Sequence, residues 1–134
     1  MAPRPCLRWP DKRLRQPAAP VTEISEATRA LWDEMIAVME AMPGVGLAAT
    51  QLGEMQALAV VDASTARGQA VRMANPEILH ASAKMRAHDE GSPNLPGVWA
   101  RIERPRAVTV QFLNDAGDVE QREFVHLWAT SVQH

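Results

Sequence analysis

The strongest helical periodicity runs from Ser25 to Met42, where Ala27, Leu31, Met35, Val38 and Met42 recur at three- and four-residue steps. Trp32, Ile36 and Met39 widen this stripe, so the helix is expected to be largely buried. Ser25 is a good N-cap, and Glu26 places negative charge in the first turn, where the helix dipole favours it. Pro43 and Gly44 end the helix. Methionines and a tryptophan at helical spacing read as core packing rather than as a ligand box, and Asp33 and Glu34 read as the solvated face.

Beyond the helix the period changes. Leu58 to Asp62 reads as a short strand, with Ala70 to Ala74 as its partner across a turn through Ser64 to Gly68. Asn75-Pro76 reads as a further turn, and Glu77 to Met85 as another strand. Ala107 to Leu113 is the clearest strand. The turn Asn114 to Asp118, with Gly117 well placed, should return it through Val119 to Phe124. Val125 to His134 carries Val125, Leu127, Trp128 and Val132 and reads as the opening of a helix. A helix, several short antiparallel strands and a second helix make an α+β pattern.

Composition narrows this picture. A chain of 134 residues suits one domain with a real core, and 46% hydrophobic residues is ordinary for a globular protein. A net charge of -2 argues against a dedicated nucleic-acid surface. No apolar run approaches the ~20 residues of a membrane helix, so no membrane partner is expected. The lone Cys6 excludes an internal disulfide, which suits a reducing, cytoplasmic setting. Residues 1–20 hold five prolines and five basic residues with no apolar signal region, and read as an extended arm laid over a domain of residues 21–134.

The chemistry-bearing motifs are three. Gly44-Val45-Gly46-Leu47-Ala48-Ala49-Thr50-Gln51 follows the first helix. On its own it is either a tight helix-to-strand connection or a turn where backbone can approach a ligand. Glu90-Gly91-Ser92-Pro93-Asn94-Leu95-Pro96-Gly97 comes next, and Ser131-Val132-Gln133-His134 last. Together they resemble the peptide deformylases. Gly44, Gly46, Leu47, Ala48, Ala49 and Gln51 match the first family signature. Glu90, Gly91, Pro96 and Gly97 fit the second, whose core is glutamate-glycine-cysteine-leucine-serine. The last segment is similar to the entry of the histidine-glutamate-x-x-histidine helix. The resemblance covers the chain from about Leu7 onward.

That resemblance implies a divalent metal, iron in many members and nickel, zinc or cobalt in others, held by a cysteine and two histidines. One position stays open for a water whose pKa the metal lowers. The helix glutamate serves as general acid/base, and the water attacks the formyl group of N-formylmethionine on a new polypeptide. Gln51 takes the oxyanion side, together with the backbone N–H after the cysteine. The implied peptide-binding positions are Gly44, Val45, Gly46, Leu47, Glu90, Gly91 and Leu95, with Trp99 nearby, and Glu90 is a support residue. The expected partner is a formyl-methionyl or methionyl peptide N-terminus.

The departures fall on the chemistry. Ser92 stands at the cysteine position, and a neutral hydroxyl is a poor substitute for a thiolate. Pro93 has no backbone N–H. His134 is the retained family ligand, and the sequence given stops there, so a truncated form is expected and with it an exposed apolar groove beside the last helix. His80 and His88, like His126 and His134, are eight apart, which on a helix is ~12 Å and too far to share an ion. The expectation is a deformylase-like protein with low or absent activity and no metal bound. An active deformylase with unusual ligands, a peptide-binding or scaffold protein and a truncated gene product stay open beside it.

Overall fold

The computed structural model describes residues 4–134, so the first three residues of the expected arm lie outside it. Helix α1 spans Glu26–Ala41. Ser25 caps it by accepting a hydrogen bond from the Thr28 backbone N–H at 3.2 Å, and Thr28 Oγ1 accepts from Ser25 N at 3.2 Å. This is a capping box closed by threonine rather than by glutamate. The buried face is Thr28, Trp32, Met35, Val38 and Met39. Ala27 is exposed, so the helix buries one stripe and is less enclosed than its apolar content suggested.

Seven strands follow: β1 (Gly46–Ala48), β2 (Leu58–Val61), β3 (Val71–Ala81), β4 (Met85–Ser92), β5 (Leu95–Pro105), β6 (Ala107–Leu113) and β7 (Val119–Val125). Helix α2 (His126–Gln133) closes the chain. Five strands form an antiparallel sheet in the order β1-β2-β3-β6-β7, and β4 and β5 form a separate hairpin. The expected α+β class holds.

Side-chain alternation divides the core between the two faces of the large sheet. Val60 and Ala74 pack with Trp32, Met35, Val38 and Met39 of α1. Their neighbours Val61 and Met73 point the other way, into a cluster with Val108, Val110, Phe112, Phe124 and Ala129 of α2. Helix α2 docks through buried Ala129 and Thr130, through Val132, and through Trp128, whose ring stacks on Phe124 with centroids 6.2 Å apart. Leu127 instead faces a groove.

Three expectations need correction. Asn75-Pro76 does not end a strand. β3 runs through it, with the register shifting between Ala74 and Glu77 and Asn75 in the left-handed region at φ 51. Pro76 has no N–H for the ladder, so the pair sits at a bulge. The Asn75 amide is used there, accepting from Val21 N and donating to Val21 O at 2.8 Å each. Secondly, Met85 opens β4 rather than closing a strand. The whole β4–β5 hairpin was masked by its polar run and its glycines and prolines. Thirdly, the arm is more than an extended strap. Asp11 caps a short 3-10 turn at Lys12–Arg15, and backbone bonds from Leu7 N to Gln51 O and from Trp9 N to Asn94 O, both 2.8 Å, stitch the arm to both signatures. Ala19 pairs with Gln56, and Arg4 bridges Glu34 and Glu54 at 2.7 Å each.

Trp32 is fully buried and its indole N–H donates to Met73 O at 3.2 Å. Trp32→Phe is expected to lower the unfolding free energy by about 1–3 kcal/mol, and Trp32→Ala by about 3–5 kcal/mol. The urea midpoint at unchanged m-value checks both.

Candidate functional site

A groove of about 890 Å³ runs between the turn after α1, the end of β4 with its hairpin, and α2. The first wall is nearly devoid of polar side chains, so neighbours hold its backbone. Gly44 N donates to Met39 O at 2.7 Å, and the Arg67 guanidinium donates to Gly44 O at 2.7 Å. Val45 O accepts from Asp62 N at 2.9 Å and from Ser131 Oγ of α2 at 2.7 Å. A Cβ at Gly46 would sit 2.5 Å from Ser131 Oγ, so glycine lets the helix approach.

Arg67 also pairs with Glu40 at 3.1 Å and donates to Asp62 O at 2.9 Å. The buried Asp62 carboxylate accepts from Ser64 Oγ at 2.6 Å, Ser64 N at 3.0 Å and Gln69 N at 2.9 Å. Burial pushes its pKa up, but these bonds and Arg67 outweigh burial and hold it below the usual carboxylate value. No spacing of residues signals this support. Its one trace is a charged residue, Asp62, directly after an apolar strand.

The floor of the groove is a closed knot of amides. A 3-10 turn at Ala49–Leu52 presents Gln51, whose Oε1 accepts from Ala48 N at 2.9 Å. Gln51 Nε2 donates to Asn94 Oδ1 at 2.6 Å and makes a longer contact to Ser92 Oγ at 3.4 Å. Asn94 is 7% exposed, and its Nδ2 donates to Leu7 O at 2.6 Å and to Gln51 O at 3.1 Å. Ser92 Oγ donates to Asn94 Oδ1 at 3.1 Å and accepts from Asn94 N at 3.2 Å. Asn94 occupies the place of the serine in the second signature and passed unnoticed in the sequence. Its importance appears only once three segments distant in sequence meet on it.

Glu90 sits beside this knot with 6% of its side chain exposed. Arg104 donates to both its oxygens at 2.7 and 2.9 Å, and His134 Nδ1 lies 2.5 Å from Oε1. Burial pushes the Glu90 carboxyl up, yet Arg104 and His134 outweigh it, and the group stays ionised below its ordinary range. Facing an ionised carboxylate, His134 Nδ1 must carry a proton, which in the neutral ring leaves Nε2 as an acceptor.

The structure thus brings Gly44, Val45, Gly46, Leu47, Gln51, Glu90, Gly91, Ser92, Trp99 and His134 to one groove. Leu95 does not line it. The register slips between Gly91 and Ser92, and Leu95 is left exposed at the hairpin turn while Val98 and Trp99 face the groove. His80 and His88 lie on different strands, so helical spacing does not apply to them; His88 borders the groove and His80 is exposed.

A metal was tested against these donors. Two of the implied ligand positions fall within this sequence, Ser92 and His134, and the Ser92 hydroxyl is turned into the amide knot. Among the described residues no three histidine, cysteine, aspartate or glutamate side chains converge. A neutral hydroxyl committed to these amides is a poor fit to the thiolate position of such a site.

Because the folded-state pKa of Glu90 lies below its unfolded value of 4.5, its stabilisation is present above about pH 4.5. It is lost as pH falls through the folded value. Glu90→Gln is expected to cost about 1.5–3 kcal/mol at neutral pH and to flatten the loss of stability below pH ~4.5. Urea unfolding between pH 3 and 7 reads both effects.

The same scaffold recurs in known proteins. The family model "Polypeptide deformylase" matches residues 3–134. A peptide deformylase of Cellvibrio japonicus is 37% identical over 134 residues, covering 100% of this chain and 79% of that protein. Peptide deformylase 1 of Burkholderia multivorans is 36% identical, covering 96% and 71%. The peptide deformylase structure from Thermotoga maritima superposes with a TM-score of 0.92 at 30% identity, covering 100% of this chain and 89% of that one. The Ehrlichia chaffeensis enzyme in complex with actinonin gives 0.93 at 28% identity, covering 100% and 81%. With a matched model over nearly its whole length, a shared fold and the first-signature glycines and Gln51 lining the groove, this chain belongs to the polypeptide deformylase family.

Proposed function

We propose that this chain binds the N-terminus of a methionyl or formyl-methionyl peptide, in the cytoplasm, and has low or absent deformylase activity with no metal resident at Ser92 and His134. The observation that carries this is the knot of Gln51, Ser92 and Asn94. It ties up the hydroxyl that stands for the metal-binding thiolate. It also ties up the amide that would polarise a formyl oxygen. Pro93 removes a further donor, and loss of one such donor costs about 10²–10³ in rate.

Peptide binding asks less of these residues. β1 is an edge strand, paired only with β2 in the sheet, and its residues border the groove. An extended peptide can therefore lie alongside it, with its backbone as partner and its side chains against Leu47, Val98, Trp99 and Leu127. The Ehrlichia chaffeensis peptide deformylase, which shares this fold, has been solved in complex with actinonin, so a relative with this scaffold takes a ligand.

The second reading, an active deformylase with unusual ligands, draws on the 37% identity to relatives named peptide deformylase. Formate release from a formyl-methionyl tripeptide separates the two. The purified protein, supplied separately with ferrous, nickel and zinc ions, is expected to release no more formate than each metal alone. Turnover well above those controls, lost in His134→Ala, would establish the second reading.

A further inference from the structure

Arg67 is held in the left-handed region at φ 60, directly before Gly68 at φ 70. A side chain strains the backbone there, and such a conformation persists only where the surroundings over-determine it. Here they are the four hydrogen bonds of one guanidinium. Nε and Nη2 donate to the two Glu40 oxygens at 3.2 and 3.1 Å, and Nη1 donates to Asp62 O at 2.9 Å. Nη2 donates in addition to Gly44 O at 2.7 Å. The Asp62 carboxylate closes the loop that carries Arg67, accepting from Ser64 N and Gln69 N. One side chain thus joins the last turn of α1, the residue after β2 and the turn that borders the groove. Arg67, Glu40 and Asp62 do not line the groove, whereas Gly44, Val45 and Gly46 do.

We infer that Arg67 is a positioning residue for peptide binding: by holding Gly44 O it sets the groove wall before a peptide arrives. This inference rests on the groove being a peptide site. The Gly44 carbonyl and the Val45 N–H are two ends of one planar unit, so a guanidinium on the oxygen also orients the N–H. Two of the three residues Gly44 to Gly46 are glycines, which lose the most conformational freedom when ordered. With Arg67 in place that freedom is given up on folding. Without it the peptide must order the wall as it binds, and affinity falls. Freeing the backbone of one residue corresponds to about 5- to 30-fold in affinity. The strained backbone at residue 67 is what places the guanidinium. A glycine there would keep the path of the loop and lose the fork.

The test compares the intact protein with Arg67→Gly, using calorimetry with Met-Ala-Ser and formyl-Met-Ala-Ser. Whichever peptide the unaltered protein binds, the variant is expected to bind it about 5- to 30-fold more weakly. Its Val45 and Gly46 amide resonances should broaden while those of the core residues Trp32 and Phe112 stay in place. Guanidinium ion at a concentration well below denaturing should restore part of the lost affinity and leave the unaltered protein unchanged, which a loss of fold would not do. Glu40→Ala, which removes the carboxylate that aims the fork, should also weaken binding, but not further in the Arg67→Gly background. It keeps the test alive should Arg67→Gly fail to fold. Unchanged affinity in both variants, or a loss that guanidinium does not recover, would overturn the role of Arg67 and leave the groove as a peptide site. Binding of neither peptide by the unaltered protein would overturn the peptide reading and this inference with it.

Discussion

The turn from Gly44 to Gln51 has almost no polar side chains with which to hold itself, and its carbonyls must still be paired. That requirement organises the molecule around it. Arg67 reaches Gly44 O from the loop after β2, Ser131 reaches Val45 O from α2, and Asn94 reaches Gln51 O from the β4–β5 hairpin. Each partner comes from a different element, so the turn is the meeting point of α1, α2 and both sheets. The glycines make the approach possible: a side chain at Gly46 would displace Ser131. An unpaired buried carbonyl costs about 1–3 kcal/mol, so three such contacts weigh heavily against a net stability of the usual size.

The elements legible in the sequence were those whose local signals agreed with their surroundings. α1 has a cap, a stripe and a proline-glycine stop, and β6–β7 alternate around a glycine turn. The β4–β5 hairpin was not legible because β5 is largely exposed on both faces and β4 is mostly half-buried with polar residues, which leaves no hydrophobic period to read. The break proposed at Asn75-Pro76 failed for a related reason. Local turn chemistry was real, but pairing with β6 on both sides carried the strand across it as a bulge. Among site residues, Gly44 to Gln51, Glu90, Ser92 and His134 were found through motif and position. The roles of Asn94, Arg67 and Ser131 were not, since each acts through a long-range hydrogen bond that no spacing encodes, and Asp62 was missed because its local bonds to Ser64 and Gln69 form only in the folded loop.

The departures at Ser92, Pro93 and Asn94 act together. A serine alone would leave a loose hydroxyl in the groove, and a proline alone would leave Gln51 still able to donate. With Asn94 in place the hydroxyl and the glutamine amide satisfy each other, and the arm is drawn in through Leu7. The result is a floor whose hydroxyl and amides find their partners in one another. Glu90 keeps its Arg104 and His134 partners, so the scaffold of the site persists around altered donors.

The central claim, that the Ser92 hydroxyl belongs to the amide knot rather than to a metal, is tested most directly by titrating the isotopically labelled protein with zinc, nickel and ferrous ions. Imidazole and side-chain amide resonances report on His134, Gln51 and Asn94, and metal content is determined after dialysis. The account expects the Gln51 and Asn94 amide signals to stay in place and the dialysed protein to retain far less than one equivalent. One retained equivalent, with His134 Nε2 shifted and the Gln51 amide released, would contradict it.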